Sequence, residues 1–150
     1  MSELNNRQGR RFIFTISSFA SWQKDLTELD GLIRHTSTLQ ARNSAFFILP
    51  KLDSSNHWKG DFLLGRQIFG APIDHAGYKW LDIYGLANHH FSVEMGFFNT
   101  KDLQIWVNQQ IMSCSNEQGE WLISYQECYD QNQNEHKILL QLEFFAKLSL

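Results

Sequence analysis

Asp82 is the residue in this sequence whose surroundings point most directly to chemistry. In Tyr78-Lys79-Trp80-Leu81-Asp82-Ile83-Tyr84 the alternation of an extended strand puts its carboxylate between Trp80 and Tyr84, on the face that also carries Tyr78. A carboxyl group held among rings loses solvation for its charged form, so its pKa rises, as a general acid or base requires. Asp82 is therefore the candidate catalytic residue. Trp80 and Tyr84, with His90 and Glu94 from the next strand, are the candidate binding residues around it. The competing reading places Asp82 near a sheet edge, hydrogen-bonded to a Tyr hydroxyl or a helix N-terminus, or on a bulge that turns it outward, with no chemistry.

Other chemistry finds less support. His89 and His90 are adjacent, so on a strand they point to opposite faces and cannot share one metal ion. His90 and Glu94 share a face but lie roughly 13 Å apart along an extended chain, too far for one ion without help from His57 or His75. No His-Glu-x-x-His, Cys-x-x-Cys or calcium-loop pattern occurs, and no metal site or cofactor is expected. There is no Gly-x-Ser-x-Gly elbow and no glycine-rich phosphate loop. Cys114 and Cys128 have no basic neighbour to activate them.

Composition narrows the classes of partner. The 150 residues are 43% hydrophobic, 14% aromatic and 19% charged, which suits one globular domain over 1–150. A net charge of −3 gives no electrostatic case for nucleic acid. The longest apolar run, Ala45 to Leu49, is far short of the roughly 20 residues that span a bilayer, so no membrane partner is expected. Met1 to Arg7 lacks an apolar signal core, and two cysteines need not pair, so the expected location is cytoplasmic. Residues 1–10 read as a flexible tail whose Arg7 and Arg10, with Arg11, form a small basic cluster.

The elements that must position these residues follow from periodicity. Phe12, Phe14 and Ile16 mark a first strand, and Trp22, Leu26, Leu29 and Leu32 or Ile33 mark a helix capped by Ser18 or Ser21 and weakened or ended at Gly31. Ala45 to Leu49 reads as a buried strand stopped by Pro50, and Trp58 to Phe69 as another, with Gly60 and Gly65 signalling a bulge or close backbone approach. Tyr78 to Leu86 and His89 to Phe98 read as a hairpin about Ala87-Asn88, its core face holding Tyr78, Trp80, Asp82, Tyr84, Phe91, Val93, Met95 and Phe97. Thr100 caps a second helix whose stripe holds Leu103, Trp106, Val107, Gln110, Ile111 and Cys114. A last hairpin joins Trp121–Tyr129 to His136–Leu148.

The expected fold is α+β, a mainly antiparallel sheet of about seven strands with two helices packed on it, divisible into two β-α-β-β-type halves. A shift of 79 residues lays Phe12 on Phe91, Phe14 on Val93, Ile16 on Met95 and His57 on His136. The ring pairs Phe46-Phe47, Phe97-Phe98 and Phe144-Phe145 face both ways from their strands. They call for helices on one side and, on the other, either a partner or ligand or the chain's own helices and loops.

Three functions fit this sequence. The first is a protein-binding protein, an inhibitor, immunity-type protein or adaptor acting through an acidic and aromatic surface. The second is a small-molecule-binding protein or enzyme with its pocket around Asp82. The third, compatible with either, is self-association into a homo-oligomer through an exposed sheet edge or face.

Overall fold

The computed structural model describes residues 9–71, 77–114, 118–146 and 148. The elements run β1 (Arg10–Ser18), α1 (Trp22–His35), β2 (Gln40–Ala41), β3 (Phe46–Leu52), β4 (Trp58–Phe69), β5 (Tyr78–Ile83), β6 (His89–Met95), α2 (Thr100–Ser113), β7 (Glu120–Asp130) and β8 (Glu135–Phe145). Every strand pairing among them is antiparallel. Seven strands lie side by side as β5-β1-β4-β3-β7-β8-β6, and β2 takes the stretch of β4 beyond β3. The architecture is the α+β sheet with two helices that the periodicities imply.

Local chemistry sets the turns and caps. Asp53 Oδ1 accepts from the backbone N–H groups of Ser55 and His57, closing the β3–β4 turn, in which Asn56 adopts a φ of 57°. Asp130 does the same for Asn132 and Gln133 between β7 and β8. The cap of α2 is Asn99, one residue before the expected Thr100, and its Oδ1 accepts from the N–H groups of Lys101 and Asp102. Helix α1 runs through Gly31 to His35, and β3 runs through Pro50 to Leu52 with a register shift between those two residues. The basic pair Arg10 and Arg11 already belongs to β1, while Arg7 lies outside the described residues.

The expected hairpin between Tyr78–Leu86 and His89–Phe98 does not form. β5 pairs with β1 and β6 pairs with β8, placing them at opposite ends of the strand order. Consecutive amphipathic strands satisfied the same alternation, but the buried residues of β5 are Leu81 and Ile83, not the face of Trp80 and Asp82.

The two halves do share a topology. Strand order β1-β4-β3 in the first is matched by β6-β8-β7 in the second, with β3 and β7 paired at the centre. The spacing that superposes them is 78 residues rather than 79, the interval between the starts of α1 and α2. It carries buried Leu29 to Val107, Ile33 to Ile111, Phe62 to Leu140 and Leu64 to Leu142. A one-residue slip reverses every side chain of a strand. Thus Ile13, packed with α1, corresponds to Phe91 on the α2 side, whereas Phe12 points the other way.

Both helices cover one face. Leu29 and Ile33 of α1 pack on Ile13 and Ile68, while Leu103, Val107 and Ile111 of α2 pack on Trp58, Phe62 and the inward rows of β7 and β8. Asn108 pins α2 to β4: its buried amide accepts from the Trp58 N–H at 2.8 Å and donates to the Trp58 carbonyl at 2.9 Å. Arg66 pins α1 by a bidentate pair to Asp30 at 2.8 and 2.9 Å, and its remaining nitrogen donates to the Ser44 and Ala45 carbonyls. Where the halves meet, Trp22, Phe46, Phe98 and Tyr125 form one ring cluster. Burial there, with Glu127 adding to it, pushes the Tyr125 hydroxyl up to about 12.

The opposite face has no helix, yet Phe12, Phe14, Phe47, Leu49, Leu81, Ile83, Leu122 and Phe145 are buried on it. The sheet covers this face by curling onto itself. Three strands separate β1 from β8, which in a flat sheet would set them roughly 19 Å apart. The Arg10 guanidinium nevertheless sits 3.0 Å from the Glu143 carboxylate and lies over the rings of Phe12 and Phe47. Within the curl, Gly65 is the β4 residue opposite both Phe14 and Phe47, and the Phe14 ring lies against its bare backbone. A Cβ there would collide with the Phe14 ring and the Ile13 carbonyl oxygen. Gly65→Ala is expected to lower unfolding free energy by about 2 kcal/mol in urea titration, because overpacking strains a closed core. Gly31→Ala, mid-helix with open space around it, should raise it by about 0.5–1 kcal/mol.

Candidate functional site

The curl brings a short stretch of β5 and its following turn to the seam of the sheet. Asp82 stands directly across from Arg11 of β1, and the two form a bidentate pair, Arg11 Nε donating to Oδ1 at 2.8 Å and Nη2 to Oδ2 at 3.0 Å. The remaining Arg11 nitrogen donates to the Gly70 carbonyl at 2.8 Å. This pair replaces the ring cage expected around Asp82. The hydrogen bonds from Arg11, and its charge, hold the Asp82 carboxyl below the usual carboxylate range, opposite to the expected rise, even though partial burial works the other way. A carboxylate held ionised and doubly hydrogen-bonded is poorly placed to take up or release a proton near neutrality.

Asp82 borders two cavities that share it and Tyr84. One, of about 420 Å³, is lined by Gly9, Arg11, Arg42, Ile68, Phe69, Gly70, Asp82 and Tyr84. Its second arginine, Arg42, lies over the Phe69 ring at 4.9 Å from the ring centre. The other, of about 410 Å³, opens on the helix-free side between Ile83, Tyr84 and Leu86 on one wall and Asn88, Phe145, Ala146 and Leu148 on the other. Asn88 fastens that wall: its N–H donates to the Phe144 carbonyl, and its side chain accepts from the Ala146 N–H. Exposed apolar groups border the cavities: Tyr84, at 61% of its full accessibility, lines both, Leu86 at 92% lines the second and Phe69 at 52% the first. Gly85 between the first two adopts a φ of 86°, the turn that lets both neighbours project. Tyr84 also leans on Gly9, where any Cβ would meet its ring.

Of the residues that the sequence singles out, the structure joins Asp82 and Tyr84. Trp80 is half buried against the α1 cluster and lines neither cavity. His90 and Glu94 share the outward face of β6, as alternation requires, but also line neither cavity; Glu94 lies 3.8 Å from Lys137. His75 lies outside the described residues. Among the described residues, no three His, Cys, Asp or Glu side chains converge as a metal site, and no helix is long and apolar enough to cross a membrane. Cys114 and Cys128 are free thiols.

Sequence reasoning missed Arg42, Phe69 and Leu86. Leu86 carried a signal, a leucine following a glycine at a strand end, but it was absorbed into the supposed hairpin. Arg42 and Phe69 come together only through the pairing of β2 with β4, which no local pattern announces. Comparison with known proteins finds no matching family model, no matching curated protein and no matching solved structure.

The pair gives a pH dependence whose sign follows from its direction. Because the folded pKa of Asp82 lies below its unfolded value, near 3.9, the pair stabilises the fold fully above that value and loses its effect as pH falls through the folded pKa. The stability difference between wild type and Asp82→Asn should therefore be constant from about pH 7 to 5 and shrink below about pH 4, as read by thermal melting. A difference that grew on acidification would contradict the pair.

Proposed function

We propose that this chain is a cytoplasmic protein-binding protein that captures its partner on the seam surface of Tyr84, Leu86, Phe69 and Arg42. The observation that carries the reading is the exposure of Tyr84, which borders both cavities, and of Leu86, which borders the second. Tyrosine and arginine are among the residues that dominate binding energy at protein interfaces, and the exposed leucine adds apolar area beside them. Asp82 at this seam is engaged by Arg11, so the surface departs from the acidic one expected, and Arg42 over the Phe69 ring offers a positive charge to a partner. The partner segment is accordingly one with an apolar side chain next to a carboxylate. Two free cysteines suit a reducing compartment. An inhibitor, immunity-type protein or adaptor would act in this way.

A second reading has its own support. A cavity of about 420 Å³ bordered by Arg11, Arg42 and Tyr84 is of a size and chemistry to hold a small carboxylate or phosphate compound. The Arg11–Asp82 pair supports binding there rather than acid–base catalysis by Asp82.

A photo-crosslinking residue at position 86, in cells that make the chain, should yield an adduct with one defined protein. The same probe at the exposed position 112 on α2 should not. Affinity for the partner so identified should fall at least about 30-fold in Tyr84→Ala, with melting temperature unchanged. Identical adducts from both positions, or undiminished affinity in Tyr84→Ala, would overturn the proposal. Saturable calorimetric binding of a small carboxylate, lost in Arg42→Ala, would favour the second reading.

A further inference from the structure

The other end of the sheet carries a different surface. β6 is the terminal strand, and among the described residues β8 alone pairs with it. Its register with β8 is unbroken over seven residue pairs, and His89–Met95 contains no proline, glycine or bulge. Edge strands are normally guarded by such interruptions or by inward-pointing charges, and this one has neither. Its helix-side residues Phe91, Val93 and Met95 are only half buried, although Leu142, Leu140 and Ile138 opposite them on β8 are buried. The apolar row of the α2 core thus ends at an open edge. The other terminal strand, β5, differs: its end is folded in at the seam, where Ile83 lines the same cavity as Phe145.

We propose that β6 is a self-complementary edge through which two copies of this chain join their sheets, antiparallel, about a two-fold axis at Ser92. The sequence of the strand supplies the argument for a second copy. With Ser92 facing Ser92 of the partner subunit, the exposed row sets His90 against Glu94 of the partner subunit and Glu94 against His90 of the partner subunit. The helix-side row sets Phe91 against Val93 of the partner subunit. Polar thus meets complementary polar and apolar meets apolar on each face, which is what an isologous contact demands. Lys137, 3.8 Å from Glu94, and Glu143, across from His90 on β8, repeat the alternation of charge one strand further in. The pairing buries the half-open Phe91–Val93 margin and satisfies backbone groups on the free side of both β6 strands.

The test uses the axis itself. Ser92 is exposed and faces neutral Gln141 on β8, so charged substitutions there leave the monomer intact, which circular dichroism melting checks. Sedimentation equilibrium of the full chain should show a wild-type dimer. Ser92→Lys and Ser92→Glu, each placing like charges against each other at the axis, should each weaken it by about tenfold. An equal mixture of the two should recover dimers that contain one copy of each, read by co-purification through a tag on one. In the wild type, amide hydrogen exchange over 90–94 should slow as concentration rises. A chain that stays monomeric at its highest soluble concentration overturns the proposal. So does a dimer that neither substitution weakens, or two variants that fail to pair with each other.

Discussion

Gly65 lacks a side chain, and the Phe14 ring and the β1 backbone close into the space this leaves. The residue sits on β4 directly between Phe14 of β1 and Phe47 of β3, and any Cβ would strike both the Phe14 ring and the backbone of β1. With that space open, the β5–β1 side can roll over the β7–β8 side until Arg10 reaches Glu143. The consequence is a second core made by the sheet alone. Ring pairs such as Phe46-Phe47 and Phe144-Phe145 are then buried on both sides of one strand, the first ring of each under the helices and the second inside the curl.

That closure decides where function can reside. A helix-free apolar face invites a partner or a ligand, but here it is the protein's own interior. Two of the surfaces open to recognition among the described residues are the ends of the strand order. At one, β5 folds into the seam and its turn projects Tyr84 and Leu86 beside the Arg11–Asp82 pair. At the other, β6 ends the sheet with an unguarded edge. The two ends differ in chemistry, rings with an arginine against alternating His, Ser and Glu, so they suit different occupants.

Much of the fold was legible because its elements are locally consistent. Alternation located the β7–β8 hairpin, helical spacing located Leu29, Ile33, Val107 and Ile111, and turn chemistry located the Asp53 and Asp130 corners. What failed was non-local. The sequence of β5 and β6 describes two amphipathic strands but not their neighbours, so a hairpin fitted as well as the true pairings with β1 and β8. The same blindness misread Asp82: its partner, Arg11, lies 71 residues away. Tyr84 was found by alternation with Asp82, whereas Arg42 and Phe69 reach the site only through the two-residue β2. The 79-residue shift erred by one because amphipathic strands match as well in reversed phase; the buried positions on the helices fix the spacing at 78.

The central claim is that the sheet closes on itself and so buries the apolar cluster of its helix-free face. The most direct measurement is a nuclear Overhauser contact between the Ile83 methyl groups and the Phe145 ring, which line the same cavity and belong to the same buried cluster. The closed sheet predicts that contact in the wild type. Five strand spacings separate β5 from β8, so an open sheet would hold the two groups roughly 24 Å apart. Absence of the contact, with the β1–β4 and β7–β8 pairings intact, would contradict the account.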